Sequence, residues 1–268
     1  MLKDITFGQY VEGNSCLHRL DPRVKLLALI ALIVFLFIVD GFLGIAVFAL
    51  LFLVTAVISR IPVKMFLKNL KAIWVILLFT AAINIFYSSG GSVLFEYSFI
   101  KITTGGLYRA AFMGVRIMLL ILLSSLLTYT TTPNDLTDGI ESLLSPLRFI
   151  GLKNAVHTLA MMMTIALRFI PTPVEETEKI MNAQKARGAD LENGKLLERI
   201  RALIPILIPL LISAIRRAYE LAEAMECRCY NGGEGRVRMK QLKLTAKDIV
   251  ASLICVAVCV GSLLTGLI

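Results

Sequence analysis

Long apolar blocks separated by short polar turns dominate the chain. Four of them lie in its first half and cover residues 24–39, 42–59, 72–87 and 105–128. A fifth block, residues 249–268, contains no charged residue at all. Because about 20 helical residues cross the hydrocarbon of a bilayer, this pattern predicts five membrane-spanning helices.

The middle of the chain has a different pattern. Its two apolar patches, residues 155–170 and 202–215, are no longer than the shortest of the other blocks, and the second one is interrupted by Pro205 and Pro209. Each patch leads into a charged, amphipathic stretch with helical periodicity. We expect these helices to lie at the membrane interface or against the spans rather than to cross the bilayer independently.

The sequence therefore predicts an all-α integral membrane protein with about five transmembrane helices and a separate helical module. The predicted division is an N-terminal membrane domain of four spans (1–130), a central module with two long helices (131–246) and a C-terminal transmembrane helix (247–268). Composition agrees, since 57% of the residues are hydrophobic and 18% are charged. In soluble domains, about 45–50% of the residues are hydrophobic and about 25% are charged on average.

The distribution of lysine and arginine predicts the orientation. Four of these residues precede position 26, four lie in residues 60–71, and seventeen lie in residues 131–247. The turn at 40–41 has none and the loop at 88–104 has one. Because cytoplasmic loops carry the excess of positive charge, the N-terminus and the central module are expected in the cytoplasm. The net charge of +9 is then better explained by cytoplasmic loops than by nucleic-acid binding.

Residues that would indicate catalysis or metal binding are sparse. The only histidines, His18 and His157, are far apart, and we interpret both as structural. Cys227 and Cys229 form a C-x-C pair with no second pair or nearby histidine to complete a zinc site. Residues 188–195 faintly resemble a phosphate-binding loop, but the required Ser or Thr does not follow, and no strand precedes them. We therefore expect no cofactor, no metal and no ATP hydrolysis in this chain.

A short motif occurs twice in the central module. Residues 183–188 (Ala-Gln-Lys-Ala-Arg-Gly) and 224–229 (Ala-Met-Glu-Cys-Arg-Cys) share the pattern Ala-x-x-small-Arg-small, forty-one residues apart. Each copy ends a predicted helix, the first over residues 174–187 and the second over residues 211–228. Gly188 supplies the stop signal of the first helix.

The repeated motif suits docking to another protein. Arg187 and Arg228 would each project a permanently charged, planar fork that fits a carboxylate, and their small neighbours would let the helix end enter a groove. Two copies suggest two similar partner surfaces or one dimeric partner. The alternative is that both motifs are solvated helix ends, where the helix dipole favours a cation.

Several segments resemble the transmembrane T component (EcfT) of energy-coupling factor transporters, the ABC-type importers of vitamins and metal ions. The block from residues 167–171 (Leu-Arg-Phe-Ile-Pro) to residues 183–188 is the most specific. Residues 20–25 (Leu-Asp-Pro-Arg-Val-Lys) resemble the family's entry to the first span. Residues 131–136 (Thr-Thr-Pro-Asn-Asp-Leu) and 143–147 (Leu-Leu-Ser-Pro-Leu) resemble the stretch after the fourth span.

The resemblance implies a non-catalytic scaffold in a prokaryotic cell membrane, with residues 131–246 as its cytoplasmic coupling module. Two arginine-bearing coupling helices would seat in two ATPase subunits, which hold the ATP and Mg²⁺. A substrate-binding S component, a small membrane protein, would select the cargo and contact the patches around Pro171, Pro205 and Pro209. The ATPase-docking residues implied are Ala186, Arg187, Gly188, Cys227, Arg228 and Cys229. Cys227 and Cys229 depart from the family's usual Ala-Arg-Gly.

Two other function classes remain as alternatives. A self-contained secondary transporter or channel would use Arg109 and Arg116, which lie seven residues apart on one face of the fourth span and are expected to face away from lipid. A membrane-embedded enzyme is the third class, and the sequence offers no catalytic cluster for it.

Overall fold

The computed structural model describes residues 10–87, 90, 92–97, 100–144, 153–188, 196–231 and 244–267. Almost all of these residues are helical, so the predicted all-α membrane class is confirmed. The described helices are α1 (Pro22–Ile38), α2 (Phe42–Ser59), α3 (Val63–Tyr87), α4 (Thr104–Thr130), α5 (Pro133–Leu144), α6 (Lys153–Phe169), α7 (Pro171–Ala186), α8 (Leu196–Cys227) and α9 (Ala246–Leu267).

A small hairpin between α3 and α4 was not predicted. Strand β1 (Val93–Tyr97) pairs antiparallel with β2 (Ile100–Thr103). Both segments are rich in β-branched and aromatic residues, which favour strands. The hairpin leads into α4, where the Thr103 hydroxyl accepts a hydrogen bond from the backbone N–H of Gly106 at 3.1 Å and caps the helix.

The predicted spans correspond closely to helices, with one clear difference in α3. Helix α2 coincides with the predicted residues 42–59, and α1 and α4 differ from their predicted spans by at most two residues at either end. Helix α3, however, begins at Val63 and not near residue 72, so the predicted start of the third span was too late in the chain. Its basic residues lie on an exposed helix face, which periodicity over the apolar block alone did not indicate.

Five of the described helices are long and apolar enough to cross a bilayer, namely α2, α3, α4, α8 and α9. Helix α1 has 17 residues, at the short end of the spanning range. From the sequence, the helix over residues 202–215 was expected at the membrane interface, so the presence of α8 among these five helices differs from that prediction. Its uncharged apolar part, residues 202–215, is only about 21 Å long at 1.5 Å per residue, against about 30 Å of hydrocarbon. A crossing by α8 would therefore bring charged residues from one or both sides of this part, such as Arg201 or Arg216, into the hydrocarbon, which is costly.

The described residues divide into two compact units, which we call the bundle unit (those within 8–139 and 240–268) and the central unit (those within 140–239). In the bundle unit, α4 contacts α1, α2 and α3, and α9 packs against α1 and α2. The C-terminal helix is therefore part of the same unit as the first four helices. The core includes Leu36, Phe48 and Tyr129, all of which are almost fully buried.

A polar junction ties together three helix ends of the bundle unit. The Lys25 ammonium of α1 donates to the carbonyl of Thr130 at the end of α4, at 2.9 Å. The buried Asp248 carboxylate in the first turn of α9 accepts from the backbone N–H of Asp21 and of Thr245, both at 2.7 Å. The Lys25 and Asp21 contacts join the start of α1 to distant helices, and the Thr245 contact caps α9 locally, so the junction fixes where α1, α4 and α9 begin or end.

In the central unit, α7 contacts both α6 and α8. Helix α6 ends at Phe169 and α7 begins at Pro171, and Ile170 between them still donates its N–H to the carbonyl of Ala166 at 2.9 Å. Proline at the first position of α7 is well placed, since that N–H has no partner within the helix. Helix α8 is 32 residues long and continues through both of its internal prolines.

Candidate docking site at two helix ends

The first arginine motif forms the end of α7. Ala186 is the last helical residue, and the backbone N–H of Arg187 donates to the carbonyls of Ala183 and Gln184 at 3.2 and 3.1 Å. Gly188 follows with φ of 86°, in the left-handed region, and its N–H donates to Lys185 at 3.0 Å. Glycine adopts this conformation without the steric penalty of a Cβ, so the motif's last residue ends the helix.

The second motif forms the end of α8 in the same way. The backbone N–H of Arg228 donates to the carbonyl of Met225 at 3.1 Å, and Cys229 adopts a left-handed φ of 54°. Each arginine is thus the first residue beyond its helix, and each is followed by a left-handed residue. The structure gives the two predicted motif copies a similar local geometry, with a left-handed residue directly after each arginine.

All six residues predicted to dock on ATPases are exposed. Neither the Arg187 nor the Arg228 guanidinium forms an ion pair with any residue that the structure describes. Two permanently charged groups with small neighbours on either side, neither paired within the described part of the chain, can bind carboxylates of another protein.

A three-residue contact that no sequence motif predicted joins the two arginine-bearing helices. The Glu176 carboxylate of α7 accepts hydrogen bonds from the Ser213 hydroxyl at 2.9 Å and lies 2.9 Å from the Arg217 guanidinium, both on α8. We call these residues the Glu176 clamp. Glu176 precedes Arg187 by eleven residues, and Arg217 precedes Arg228 by eleven. The forty-one-residue repeat therefore makes Glu176 and Arg217 equivalent positions, and their opposite charges were the available signal.

Comparison with known proteins identifies the family. Residues 13–239 match the family model described as "CbiQ: Cobalt transport protein", and this range includes both arginine motifs. The chain is 52% identical over 265 residues to the energy-coupling factor transporter transmembrane protein EcfT of Clostridium kluyveri, covering 98% of this chain and 97% of that protein. The chain belongs to the EcfT family.

Other EcfT proteins match along their whole length. The Thermosediminibacter oceani protein is 49% identical over 267 residues, with both chains fully covered. The Bacillus subtilis protein is 44% identical over 259 residues, covering 96% of this chain and 97% of that one. The family predicted from the sequence is thus confirmed, and the similarity includes both units of the fold.

This EcfT-family chain carries an exposed apolar surface on α8, close to the predicted S-component residues. Pro171, Pro205 and Pro209 are all exposed. The large apolar side chains that are at least 46% exposed on the same helix are Leu203, Ile204, Leu207, Ile208, Leu211, Ile212 and Ile215. An apolar surface of this extent is covered by lipid or by another protein in a native membrane protein.

Arg116 forms contacts that stabilise the bundle unit. It is 6% exposed, its guanidinium donates to the backbone carbonyl of Val39, and it lies 3.7 Å from the Asp40 carboxylate. The same guanidinium lies over the Phe112 ring, 4.6 Å from its centroid. Arg109, by contrast, is exposed, so the expectation that both arginines face inward holds only for Arg116. These contacts attach the α1–α2 turn to α4.

His18 is part of the segment before α1. Its Nε2 donates to the carbonyl of Val11 at 3.0 Å, and its Nδ1 lies 2.7 Å from the Ser15 hydroxyl. Burial lowers its pKa below the ordinary value of 6.5, the nearby Lys25 lowers it further, and the hydrogen bond to Val11 opposes both. The side chain of His157 lies outside the described residues. Among the described residues, no three metal-ligating side chains converge.

Proposed function

We propose that this EcfT-family chain is the transmembrane coupling subunit of an energy-coupling factor importer. It links ATP hydrolysis in two partner ATPase subunits to reorientation of a substrate-binding S component, for uptake of a vitamin or a metal ion. ATP and Mg²⁺ are bound by the ATPases, and this chain supplies no catalytic group.

One observation carries the proposal, namely that both arginine motifs occupy the same position at a helix end. Arg187 and Arg228 each follow the last helical residue, and each precedes a left-handed residue. A partner with two similar grooves can therefore bind both ends with the same chemistry. Two copies of an ATPase fold offer such a pair of surfaces.

The docking chemistry follows from the exposed guanidiniums. An arginine at a helix end that enters an acidic groove loses water and gains charge-assisted, bidentate hydrogen bonds to carboxylates. Removing one partner of such a buried pair costs about 2–5 kcal/mol in protein complexes, while rim charges matter much less. The two arginines should thus dominate the binding energy at their ends.

The exposed apolar surface of α8 supports contact with a second membrane protein. Pro205 and Pro209 each remove one backbone hydrogen bond, which weakens this part of the helix and leaves it able to bend. A surface that can adjust its shape suits an S component that reorients during transport. We propose that this surface, together with Pro171 at the start of α7, faces the S component.

The proposed orientation places the N-terminus and both arginine motifs in the cytoplasm. The lysine and arginine excess in residues 131–247 supports it. The short apolar part of α8 also supports placing both ends of this helix on one side, because Arg201 and Arg216 bound residues 202–215 and a crossing would bring charged residues into the hydrocarbon.

Charge reversal at both helix ends tests the proposal. In the full complex, Arg187→Glu with Arg228→Glu should reduce co-purification of the ATPases at least tenfold and abolish ATP-dependent uptake. The matched control reverses exposed cations on the same helices that are not at the ends, namely Lys179→Glu with Arg216→Glu. The control variant should retain both ATPase co-purification and ATP-dependent uptake. Normal co-purification and uptake in the Arg187 and Arg228 variant would overturn the proposal.

A self-contained transporter or channel makes the opposite prediction. The purified chain alone, in liposomes, would then move an ion or solute without ATP and without other subunits. The structure weakens this alternative because Arg116 is engaged with Val39 and Asp40. Flux through the isolated chain that is lost in Arg109→Met would favour it over the coupling role.

A further inference from the structure

We infer that the Glu176 clamp is a positioning device that holds the two arginine ends at a fixed separation, so that the two ATPases are engaged as a pair. The inference rests on the proposed function, and it assigns a role to three residues outside the docking motifs. Its basis is the contact of Glu176 with Ser213 and Arg217 across α7 and α8.

The clamp lies at equal distance from the two docking ends. Eleven residues separate Glu176 from Arg187, and eleven separate Arg217 from Arg228, so each arm is about 16 Å long at the helical rise of 1.5 Å per residue. Neither arm contains proline or glycine before its arginine. Both arms are therefore continuous helices, and Pro205 and Pro209 lie on the other side of the clamp.

The clamp joins equivalent positions of the forty-one-residue repeat. Glu176 and Arg217 each lie eleven residues before the arginine of their own helix, so the two arms measured from this contact are equally long. The opposite charges at the two equivalent positions make the contact an attractive one.

The side-chain chemistry suits a contact that is specific in geometry. Ser213 and Arg217 are four residues apart on α8 and therefore project from the same face, where both reach one carboxylate. The neighbouring Glu175 and Arg216 are exposed. They carry the same charges one residue away and provide a matched control for every clamp variant.

The direct test is a distance measurement between the arms in the full chain, reconstituted in lipid. Spin labels at positions 182 and 223, each five residues before its arginine, report the arm separation when the exposed Cys16, Cys227 and Cys229 are replaced by Ser. The native clamp should give one narrow distance distribution. Glu176→Gln should broaden it at least twofold, and the charge swap Glu176→Arg with Arg217→Glu should narrow it again.

The functional readout separates the clamp from simple stability. In the complex, Glu176→Gln should bind the first ATPase normally but bind the second at least fivefold more weakly, and it should hydrolyse more ATP per substrate imported. The Glu175→Gln and Arg216→Met controls should match the native chain in both measurements. An unchanged distance distribution in Glu176→Gln, or equal effects in the controls, would overturn the clamp inference.

The two proposals fail in different ways. If Arg187→Glu with Arg228→Glu leaves the ATPases bound, the docking role itself is wrong, whatever the clamp does. If that variant releases the ATPases while Glu176→Gln changes neither the arm distance nor the paired binding, only the clamp inference is wrong.

Discussion

The residue after each docking arginine shows how a small chemical difference affects the two motif copies. Gly188 and Cys229 both adopt a left-handed φ, at 86° and 54°. This conformation costs a residue with a Cβ about 1–2 kcal/mol, whereas glycine adopts it freely. The end of α8 is therefore strained in a way that the end of α7 is not.

Replacing Cys229 by glycine and Gly188 by alanine should change the stability of the two helix ends in opposite directions. Cys229→Gly should stabilise the end of α8 by about 1 kcal/mol, since relief of strain exceeds the added freedom of the unfolded chain. Gly188→Ala should destabilise the end of α7 by a similar amount. No atom lies within 4 Å of a Cβ built at Gly188, so strain and not a clash is the cause. Hydrogen exchange at the amides of residues 187–188 and 228–230 measures both effects, and shifts of the same sign would contradict the explanation.

His18 should make the segment before α1 sensitive to pH. Its pKa is lowered in the folded chain, mainly by burial, so the folded segment favours the neutral ring. The unfolded segment binds the proton more readily, and the stability present above pH 6.5 is lost as the pH falls toward the lowered pKa.

The measurement is the protection of the Val11 amide, which donates to the carbonyl of Tyr129 at 3.0 Å. Its protection factor should fall between pH 7.5 and pH 5.5 in the native chain. In His18→Gln it should stay constant over that range. An equal fall in both chains would show that another group is responsible.

At the scale of whole elements, the apolar blocks predicted the spans well because each block is nearly continuous. The start of α3 was missed because Lys64, Lys68 and Lys71 interrupt the apolar run. In the structure these lysines share an exposed face, while Phe66 of the same turns is buried. The hairpin of residues 93–103 was missed because short strands give little periodic signal.

Arg116 determines how the α1–α2 turn attaches to α4. Arg116→Met should destabilise the bundle unit by about 2–3 kcal/mol, because the Val39 carbonyl loses a charged donor. Arg109→Met, an exposed position seven residues away, should change stability by less than about 0.5 kcal/mol. Denaturant unfolding of the purified chain measures both. Normal stability with abolished transport in Arg116→Met would instead favour a role in a transport path.

At the scale of the molecule, the sequence predicted the two docking ends but not how they are joined. Motif repetition predicted docking at Arg187 and Arg228 because each copy is a local pattern, and that docking role stays a prediction. The Glu176–Arg217 contact joins residues that are forty-one positions apart on different helices, so no local pattern contained it. The two residues become equivalent only when the forty-one-residue offset between the motif copies is extended to positions 176 and 217.

The side of the membrane on which the Arg228 end of α8 lies is also a property of the whole molecule. The coupling role requires the Arg228 end to lie in the cytoplasm with Arg187, although α8 is long and apolar enough to be considered as a span. Cys227 and Cys229 flank Arg228 and are exposed, so native thiols report on this end directly.

The most direct test of the central claim is labelling of Cys227 and Cys229 by a membrane-impermeant maleimide in oriented vesicles. Inside-out vesicles that contain the chain alone should label both thiols, and assembly with the ATPases should slow this labelling at least tenfold. Cys16, exposed in the bundle unit, serves as the control and should react equally with and without ATPases. Two results would contradict the docking of this helix end on an ATPase. One is labelling of Cys227 and Cys229 from the outer side of the membrane. The other is a labelling rate at these thiols that is the same in the assembled complex as in the chain alone.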